Sequence, residues 1–96
     1  MPSDTDILRK AGRAVGQVQG VNFRVFVRNA ARELGVTGWV KNMSDGSVTM
    51  ELQGETEVVE RLIAKIKRGN DWIQVTNFTE DNLPVVEGEN TFAIRY

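Results

Sequence analysis

Two stretches of the sequence repeat their apolar residues with the period of an α-helix, and each lies between segments rich in β-branched residues. Both apolar sets lie on one helical face, and a glycine follows each set where a helix would end. Acidic residues precede the second set and basic residues close it, whereas Arg24 stands at the start of the first. The two sets are Phe23, Val27, Ala30, Ala31 and Leu34 before Gly35, and Val58, Val59, Leu62, Ile63 and Ile66 before Gly69.

The segments around these helices are typical of β-strands. Val48, Met50 and Leu52 alternate with polar residues, so one face of that strand packs and the other meets solvent. The cluster Ser44-Asp45-Gly46 predicts the turn of a hairpin, and the polar stretch 80–90 predicts a loop. The predicted strands are residues 9–18, 36–43, 47–53, 72–78 and 91–96.

The order strand, helix, strand, strand, helix, strand predicts an α+β fold. We expect a ferredoxin-like two-layer sandwich (βαββαβ), with an antiparallel sheet of four to five strands and both helices on one face. A chain of 96 residues has the size of one domain. Residues 1–8 are predicted to be a flexible leader, and residues 9–96 the folded domain.

Composition narrows the chemistry available to this chain. Without cysteine there is no thiolate nucleophile and no sulfur metal site, and without histidine the commonest general base and metal ligand is missing. The acidic residues are scattered, so no metal site is predicted. A net charge of -1 argues against a broad nucleic-acid surface but allows a local anion site. The sequence shows neither a signal peptide nor a membrane span, so we expect a cytoplasmic protein.

The segment VQGVNFR, residues 18–24, is predicted to join the first strand to the first helix. Main-chain N–H groups at a helix start have no intrahelical partners, so this turn is a candidate anion site. A cation such as Arg24 is unfavourable there, unless an anion lies between the guanidinium and the amides. The alternative is a plain connection with Arg24 pointing into solvent. The sequence leaves both interpretations open.

Asn42 ends the first strand of the hairpin and shares a strand face with Val40, Gly38 and Val36. If that face carries the helices, the amide of Asn42 points toward the first helix, where it could orient a water molecule. The alternative is a turn residue bonded to its own backbone. Trp39 and Trp72 are expected to be core or groove aromatics.

These segments also resemble a known family. VQGVNFR is similar to the motif V-Q-G-V-x-F-R of the acylphosphatases, and GWVKNMSDGSVTMELQG, residues 38–54, resembles the second signature of that family. The resemblance covers roughly residues 9–96, with Arg24 and Asn42 at the family's separation.

The resemblance implies that the protein hydrolyses small acyl phosphates to a carboxylate and inorganic phosphate, without metal or cofactor. By this resemblance Arg24 binds the phosphate, Asn42 orients the attacking water, and the main-chain amides of the loop complete the site. Such an enzyme is expected to act as a monomer on a small molecule, with no nucleic-acid or membrane partner. The implied substrate-binding residues are Gln19, Gly20, Val21, Asn22, Phe23 and Arg24.

Two alternatives remain at this point. Ferredoxin-like domains also serve as noncatalytic modules that bind RNA, anions or other ligands. The chain contains no RNP1-like aromatic run, which argues against RNA. Similar domains also occur in larger proteins that handle carbamoyl phosphate, for whose partner domains this chain has no room.

Overall fold

In the computed structural model, which describes residues 6–96, five strands and two helices form two layers. The sheet has the strand order β4-β1-β3-β2-β5, and both helices cover one of its faces. The predicted ferredoxin-like α+β architecture is confirmed. The elements are β1 Ile7–Gln17, α1 Phe23–Leu34, β2 Thr37–Asn42, β3 Val48–Glu55, α2 Thr56–Arg68, β4 Gln74–Leu83 and β5 Phe92–Arg95.

The two helices begin and end where the apolar periodicity predicts. α1 closes at Gly35, whose φ of 74° and ψ of 24° are left-handed and cost glycine little. α2 has Glu57 in its first turn and basic residues in its last turn, as the helix dipole favours. α1 has no acidic residue in its first turn and begins with Phe23 and Arg24. The positive end of α1 is therefore left without a compensating side chain.

The core lies between the helices and the face of the sheet that carries the alternating apolar residues. Val48, Met50 and Leu52 of β3 are almost completely buried there, as the alternation predicts. Burying a side chain of this size contributes roughly 1.5–3 kcal/mol, so a few such residues set the sheet's orientation. The largest buried side chains are Phe23, Phe92, Met50, Leu52, Leu62 and Ile66.

The predicted sheet was antiparallel, but its last strand is parallel to its neighbour. β5 pairs with β2 in parallel, with Gly38 opposite Phe92 and Lys41 opposite Arg95. β4 lies at one edge of the sheet and β5 at the other. The short connection between them crosses one end of the sheet, and β5 then runs back in the direction of β2. The sheet is therefore mixed, with one parallel pair.

β4 also differs from its prediction, since it spans Gln74–Leu83 rather than residues 72–78. It starts later because Asn70 Oδ1 accepts hydrogen bonds from the N–H groups of Trp72 (2.8 Å) and Ile73 (2.9 Å), which closes a turn. Ile73 is buried, and Trp72 is 74% exposed, contrary to the expected core or groove position.

β4 ends later than predicted because its polar continuation pairs with β1, with Leu83 opposite Arg9. Edge-strand pairing needs no apolar pattern, so residues 80–83 were wrongly predicted to belong to a loop, whereas residues 84–90 do lie outside the strands.

The first strand starts earlier than predicted. Ile7 pairs with Glu55 and Leu8 with Gly54 of β3, so these two residues belong to the sheet rather than to a leader. These residues are paired with β3 through their main chain, and because every residue type has main-chain hydrogen-bonding groups, the sequence does not reveal such pairing. The rest of the predicted flexible leader, residues 1–5, lies outside the described residues. Within residues 6–96, no helix combines the length and apolar character needed to cross a bilayer.

A buried arginine ties the loop between β4 and β5 to the sheet face opposite the helices. Arg9, only 3% exposed, donates hydrogen bonds to Glu51 (2.9 Å) and Glu89 (2.8 Å). Gln53 accepts a third bond from Arg9 (3.1 Å) and exchanges two with the main chain of Val86. Burial by itself lowers the pKa of Arg9, but the bonds to the two carboxylates outweigh it and raise the pKa.. The guanidinium stays charged and holds the loop.

This cluster predicts a loss of stability in acid. Burial raises the pKa of Glu89, but the hydrogen bonds from Arg9 and Thr37 outweigh that effect and hold the pKa below its ordinary value of 4.5. The stabilisation is therefore fully present above about pH 4.5 and is lost as the pH falls through the folded-state pKa. We expect Glu89→Gln to cost about 1–2 kcal/mol at pH 7 and much less at pH 3. Urea unfolding at both pH values measures this.

The control is Glu87→Gln, which removes a charge from the same loop at a residue that is exposed. We expect this control to change the free energy of unfolding by less than about 0.5 kcal/mol at either pH. A cost for Glu89→Gln that is the same at pH 7 and pH 3 would show that the charge on Glu89 does not hold the loop.

Candidate active site

The turn between β1 and α1 takes an unusual backbone shape at two positions. Gly20 has a φ of 77°, and an added Cβ there would meet no atom within 4 Å, so the conformation rather than a lack of space requires glycine. Asn22 has a φ of 60° and a ψ of 30°, and it is the one non-glycine residue with positive φ between residues 6 and 96. Asparagine tolerates this left-handed conformation better than most residues do. The turn is thereby bent into a loop that ends directly at α1.

The main-chain N–H groups at the start of α1 lie in a loop that precedes the first hydrogen bond of the helix. The first bond of α1 runs from the N–H of Phe26 to the carbonyl oxygen of Asn22, at 2.9 Å. In the part of the chain that the structure describes, the N–H groups of residues 20–24 donate to no protein acceptor. Unsatisfied N–H groups at a helix start are able to bind an anion, so the loop is a candidate anion site.

Arg24, the second residue of α1, extends its side chain to the end of β5. Its guanidinium carbon lies 4.8 Å from the centre of the Tyr96 ring, and Nη1 donates to the carbonyl oxygen of Arg95 at 3.3 Å. None of the ion pairs formed by residues 6–96 includes Arg24. The guanidinium carries five N–H donors, so most of them remain available for a ligand.

Asn42 is the last residue of β2, and its side chain points toward α1. Its Oδ1 atom is buried and accepts no hydrogen bond in the described residues. Burying an unpartnered polar atom costs roughly 1–3 kcal/mol, so such an atom calls for an explanation. Asp45, not Asn42, makes the side-chain bonds of the hairpin turn, since it accepts from the N–H and hydroxyl of Ser47. The alternative of a self-bonded turn residue does not hold for Asn42.

Arg24 and Asn42 line one cavity of about 220 Å³ together with the loop. Pockets for drug-sized ligands usually occupy about 300–1,000 Å³, so this cavity suits a smaller molecule. Polar groups come from the loop and β2, while Val25, Ile94 and Tyr96 supply apolar surface. The lining residues are Val18, Gly20, Asn22, Phe23, Arg24, Val25, Asn42, Ile94 and Tyr96.

Two of the residues singled out in the sequence do not line the cavity. Val21 packs against the hydrophobic core, and the side chain of Gln19 binds the β2–β3 turn. Sequence reasoning missed Ile94 and Tyr96, which reach the cavity only because β5 pairs with β2. Val25 was also missed, although its position off the apolar face of α1 marks it as exposed. Among residues 6–96, no group of three histidine, cysteine or acidic residues could hold a metal ion.

The fold and the cavity define a small ferredoxin-like protein with a small polar cavity at the loop between its first strand and first helix. The family model described as Acylphosphatase matches residues 10–94. An acylphosphatase from Clostridium beijerinckii is 39% identical over 90 residues, which are 94% of this chain and 100% of that protein. The chain belongs to the acylphosphatase family, an enzyme family that hydrolyses acyl phosphates.

Solved structures agree with this assignment. The crystal structure of an acylphosphatase from Bacillus subtilis has a TM-score of 0.88 and 32% identity, and the match covers 93% of this chain and 99% of that one. A crystal structure of full-length HypF, in a phosphate- and nucleotide-bound form, has a TM-score of 0.83 and 28% identity. The match covers 95% of this chain but only 12% of HypF, so the same fold also occurs as a small part of a larger protein.

The left-handed residue in the loop yields a stability prediction. Asn22→Gly removes a side chain that makes no capping bond, and glycine adopts positive φ readily, so we expect a change within about 0.5 kcal/mol. Asn22→Val puts a β-branched residue at positive φ and is expected to destabilise the protein by about 1–2 kcal/mol. Urea unfolding of the two variants measures the difference. Equal costs for both would mean that the backbone conformation at Asn22 does not limit stability.

Proposed function

We propose that the loop of residues 19–24 and Arg24 hold the phosphoryl group of a small acyl phosphate, while Asn42 orients the water that attacks it. One observation supports this assignment above the others. Among residues 6–96, Arg24 forms no ion pair, Oδ1 of Asn42 has no hydrogen-bond partner and the N–H groups of the loop donate to no protein acceptor, and these residues line one small cavity. A bound phosphoryl group with a water molecule beside it would satisfy all three.

Electrostatics explains why a cation is retained at this helix end. Arg24 lies where the peptide dipoles of α1 already give a positive potential, which is unfavourable by roughly 0.3–1 kcal/mol for an exposed charge. A phosphoryl dianion between Arg24 and the loop amides reverses the sign of that interaction, and charge-assisted hydrogen bonds strengthen it further. The interaction of Arg24 with the helix end is therefore unfavourable in the ligand-free enzyme, whereas in the complex Arg24 and the helix end both contribute to binding.

The proposed reaction is an in-line displacement at phosphorus. The oxygen of the water bound by Asn42 forms a bond to phosphorus as the bond from phosphorus to the acyl oxygen breaks. The electron pair of that bond leaves with the carboxylate. A proton of the water passes to a phosphoryl oxygen of the substrate, so that a carboxylate and dihydrogen phosphate are formed. Arg24 and the loop amides stabilise the equatorial oxygens throughout.

This mechanism suits a chain that has no histidine and no cysteine. A carboxylate leaves without protonation by a general acid, so positioning and electrostatic stabilisation are sufficient for catalysis. Every group assigned a role is a side chain or main-chain amide of one chain. The proposed hydrolysis therefore needs no metal ion and is carried out by a monomer.

The assay is hydrolysis of benzoyl phosphate followed by ultraviolet absorbance, with inorganic phosphate as inhibitor. We expect saturable release of benzoate and competitive inhibition by phosphate in a buffer containing a chelator. Binding of phosphate without hydrolysis would instead identify a noncatalytic anion-binding module of the same fold. The absence of both would reject the proposed site.

A further inference from the structure

The side chain of Gln19 connects the loop to the β2–β3 hairpin. Its amide nitrogen donates one hydrogen bond to the carbonyl oxygen of Met43, at 2.8 Å, and another to that of Ser47, at 2.9 Å. A glutamine amide has two N–H donors, so both are used. Met43 directly follows Asn42 in the chain. Gln19 is the first residue of the loop, so its side chain links the loop to Met43, the residue next to Asn42.

The two accepting carbonyls belong to a turn that is already closed. The N–H of Met43 donates to the carbonyl oxygen of Ser47 at 2.9 Å, and the N–H of Gly46 donates to that of Met43 at 3.2 Å. Removing the Gln19 amide therefore leaves neither carbonyl without a partner. Among the described residues, the turn has closing bonds of its own, whereas the hydrogen bonds that join the loop to the turn come from Gln19.

Asp45 holds the turn in the shape that presents those carbonyls. Its Oδ1 accepts hydrogen bonds from the N–H (2.9 Å) and the hydroxyl (2.6 Å) of Ser47, which is 2% exposed. Its Oδ2 accepts a bond from Arg13 of β1, at 3.0 Å. The bonds from Ser47, and then Arg13, hold the pKa of Asp45 well below its usual range, so its carboxylate remains an acceptor. The Arg13 contact is exposed and contributes little.

We propose that Gln19 is a positioning residue, whose side chain holds the phosphate loop at a fixed distance from Asn42, and that Asp45 and Ser47 support it. This inference rests on the proposed function for its catalytic consequence. The loop would hold the phosphoryl group and Asn42 the water, and they come from separate segments of the chain. In-line attack needs both reactants within about 3–3.5 Å in alignment, and a displacement of 1 Å can cost about a hundredfold in rate.

The test compares Gln19→Ala with Gln17→Ala, a matched control. Gln17 has an exposed side chain in β1 and makes no side-chain hydrogen bond in the described residues. We expect Gln19→Ala to lower kcat for benzoyl phosphate about ten- to a hundredfold, with the inhibition constant of inorganic phosphate within about threefold of wild type. Gln17→Ala should leave both values unchanged. Equal losses of kcat and phosphate affinity would overturn the positioning role, because they would mean that Gln19 serves binding.

Two further variants test the support from the turn. Asp45→Asn keeps an oxygen that can accept the bonds from Ser47, whereas Asp45→Ala removes it. We expect Asp45→Ala to lower kcat at least threefold more than Asp45→Asn does. Equal effects of the two variants would contradict the proposed support.

Amide hydrogen exchange tests the attachment without relying on catalysis. We expect the N–H of Phe26, which donates to the carbonyl oxygen of Asn22 in the loop, to exchange at least several-fold faster in Gln19→Ala than in Gln17→Ala. Unchanged exchange and unchanged kcat would reject the inference, while wild-type hydrolysis would still support the proposed function. If wild type hydrolysed no acyl phosphate, the proposed function would fail, and faster exchange would still establish the attachment.

Discussion

Arg24→Ala is expected to lose nearly all hydrolysis of benzoyl phosphate together with the inhibition by inorganic phosphate. Removing one preorganised neutral donor typically costs about 3 kcal/mol in a transition state, and this donor is charged. We therefore expect kcat/KM to fall by more than a thousandfold. Arg24→Lys retains the charge but not the planar set of donors, so it should recover only part of the activity.

The stability of Arg24→Ala is expected to change in the opposite direction from its activity. Without ligand, removal of a cation from the positive end of α1 is expected to leave the protein equally stable or to stabilise it by up to about 1 kcal/mol. Phosphate should raise the melting temperature of wild type, because it binds only the folded state, but not that of Arg24→Ala. Differential scanning fluorimetry with and without phosphate measures both effects.

Arg28→Ala is the matched control for Arg24→Ala. Arg28 lies on the same helix, donates within the described part of the chain only to the neighbouring Asn29, and does not line the cavity. We expect near wild-type kinetics and an intact phosphate response from it. Comparable losses in the Arg24 and Arg28 variants would mean that the general charge of α1, rather than a specific contact, carries the effect.

Asn42→Ala is expected to separate turnover from binding. We expect kcat to fall by about a hundredfold to a thousandfold, the range for loss of a group that acts only in the transition state, while phosphate still inhibits competitively. Asn77→Ala, in an exposed part of β4, is the control and should leave kcat unchanged. A parallel loss of turnover and phosphate affinity would show that Asn42 shapes the cavity instead of orienting water.

The stability of Asn42→Ala gives a second measurement. Because Oδ1 of Asn42 is buried and has no hydrogen-bond partner among residues 6–96, its removal should not destabilise the protein, unlike truncation of a satisfied buried amide. A urea unfolding curve at or above the wild-type midpoint would agree with a residue kept for function at a cost in stability. A loss of more than about 2 kcal/mol would argue for a structural role.

Much of the fold was accessible from local patterns. The apolar stripe from Phe23 to Leu34 specifies a helix because its side chains pack only if they share one face. Arg24 was a candidate site residue because the helix dipole makes a cation unfavourable at that position. Asn42 was a candidate because strand alternation places it on the same face as Val40. Each of these arguments concerns residues close together in the chain.

The remaining features depend on pairing between distant segments. The polar end of β4 is a strand only because β1 offers hydrogen-bonding groups beside it, and β5 is parallel only because its connection crosses the sheet. Ile94 and Tyr96 line the cavity for the same reason. Gln19 was expected to contact substrate, and its hydrogen bonds to the hairpin turn, on which the proposed positioning role rests, are visible only in the tertiary structure.

The sequence by itself determined the two helices, the hairpin, and the choice of polar groups that we propose hold a phosphoryl group and a water molecule. Periodicity, helix electrostatics and turn chemistry act over a few residues, so they can be read along the chain. The tertiary structure decided the strand order, the parallel edge, the size of the cavity and the partners of each polar group. These features depend on which distant backbone and side-chain groups satisfy one another, and that is settled only when the whole sheet has assembled.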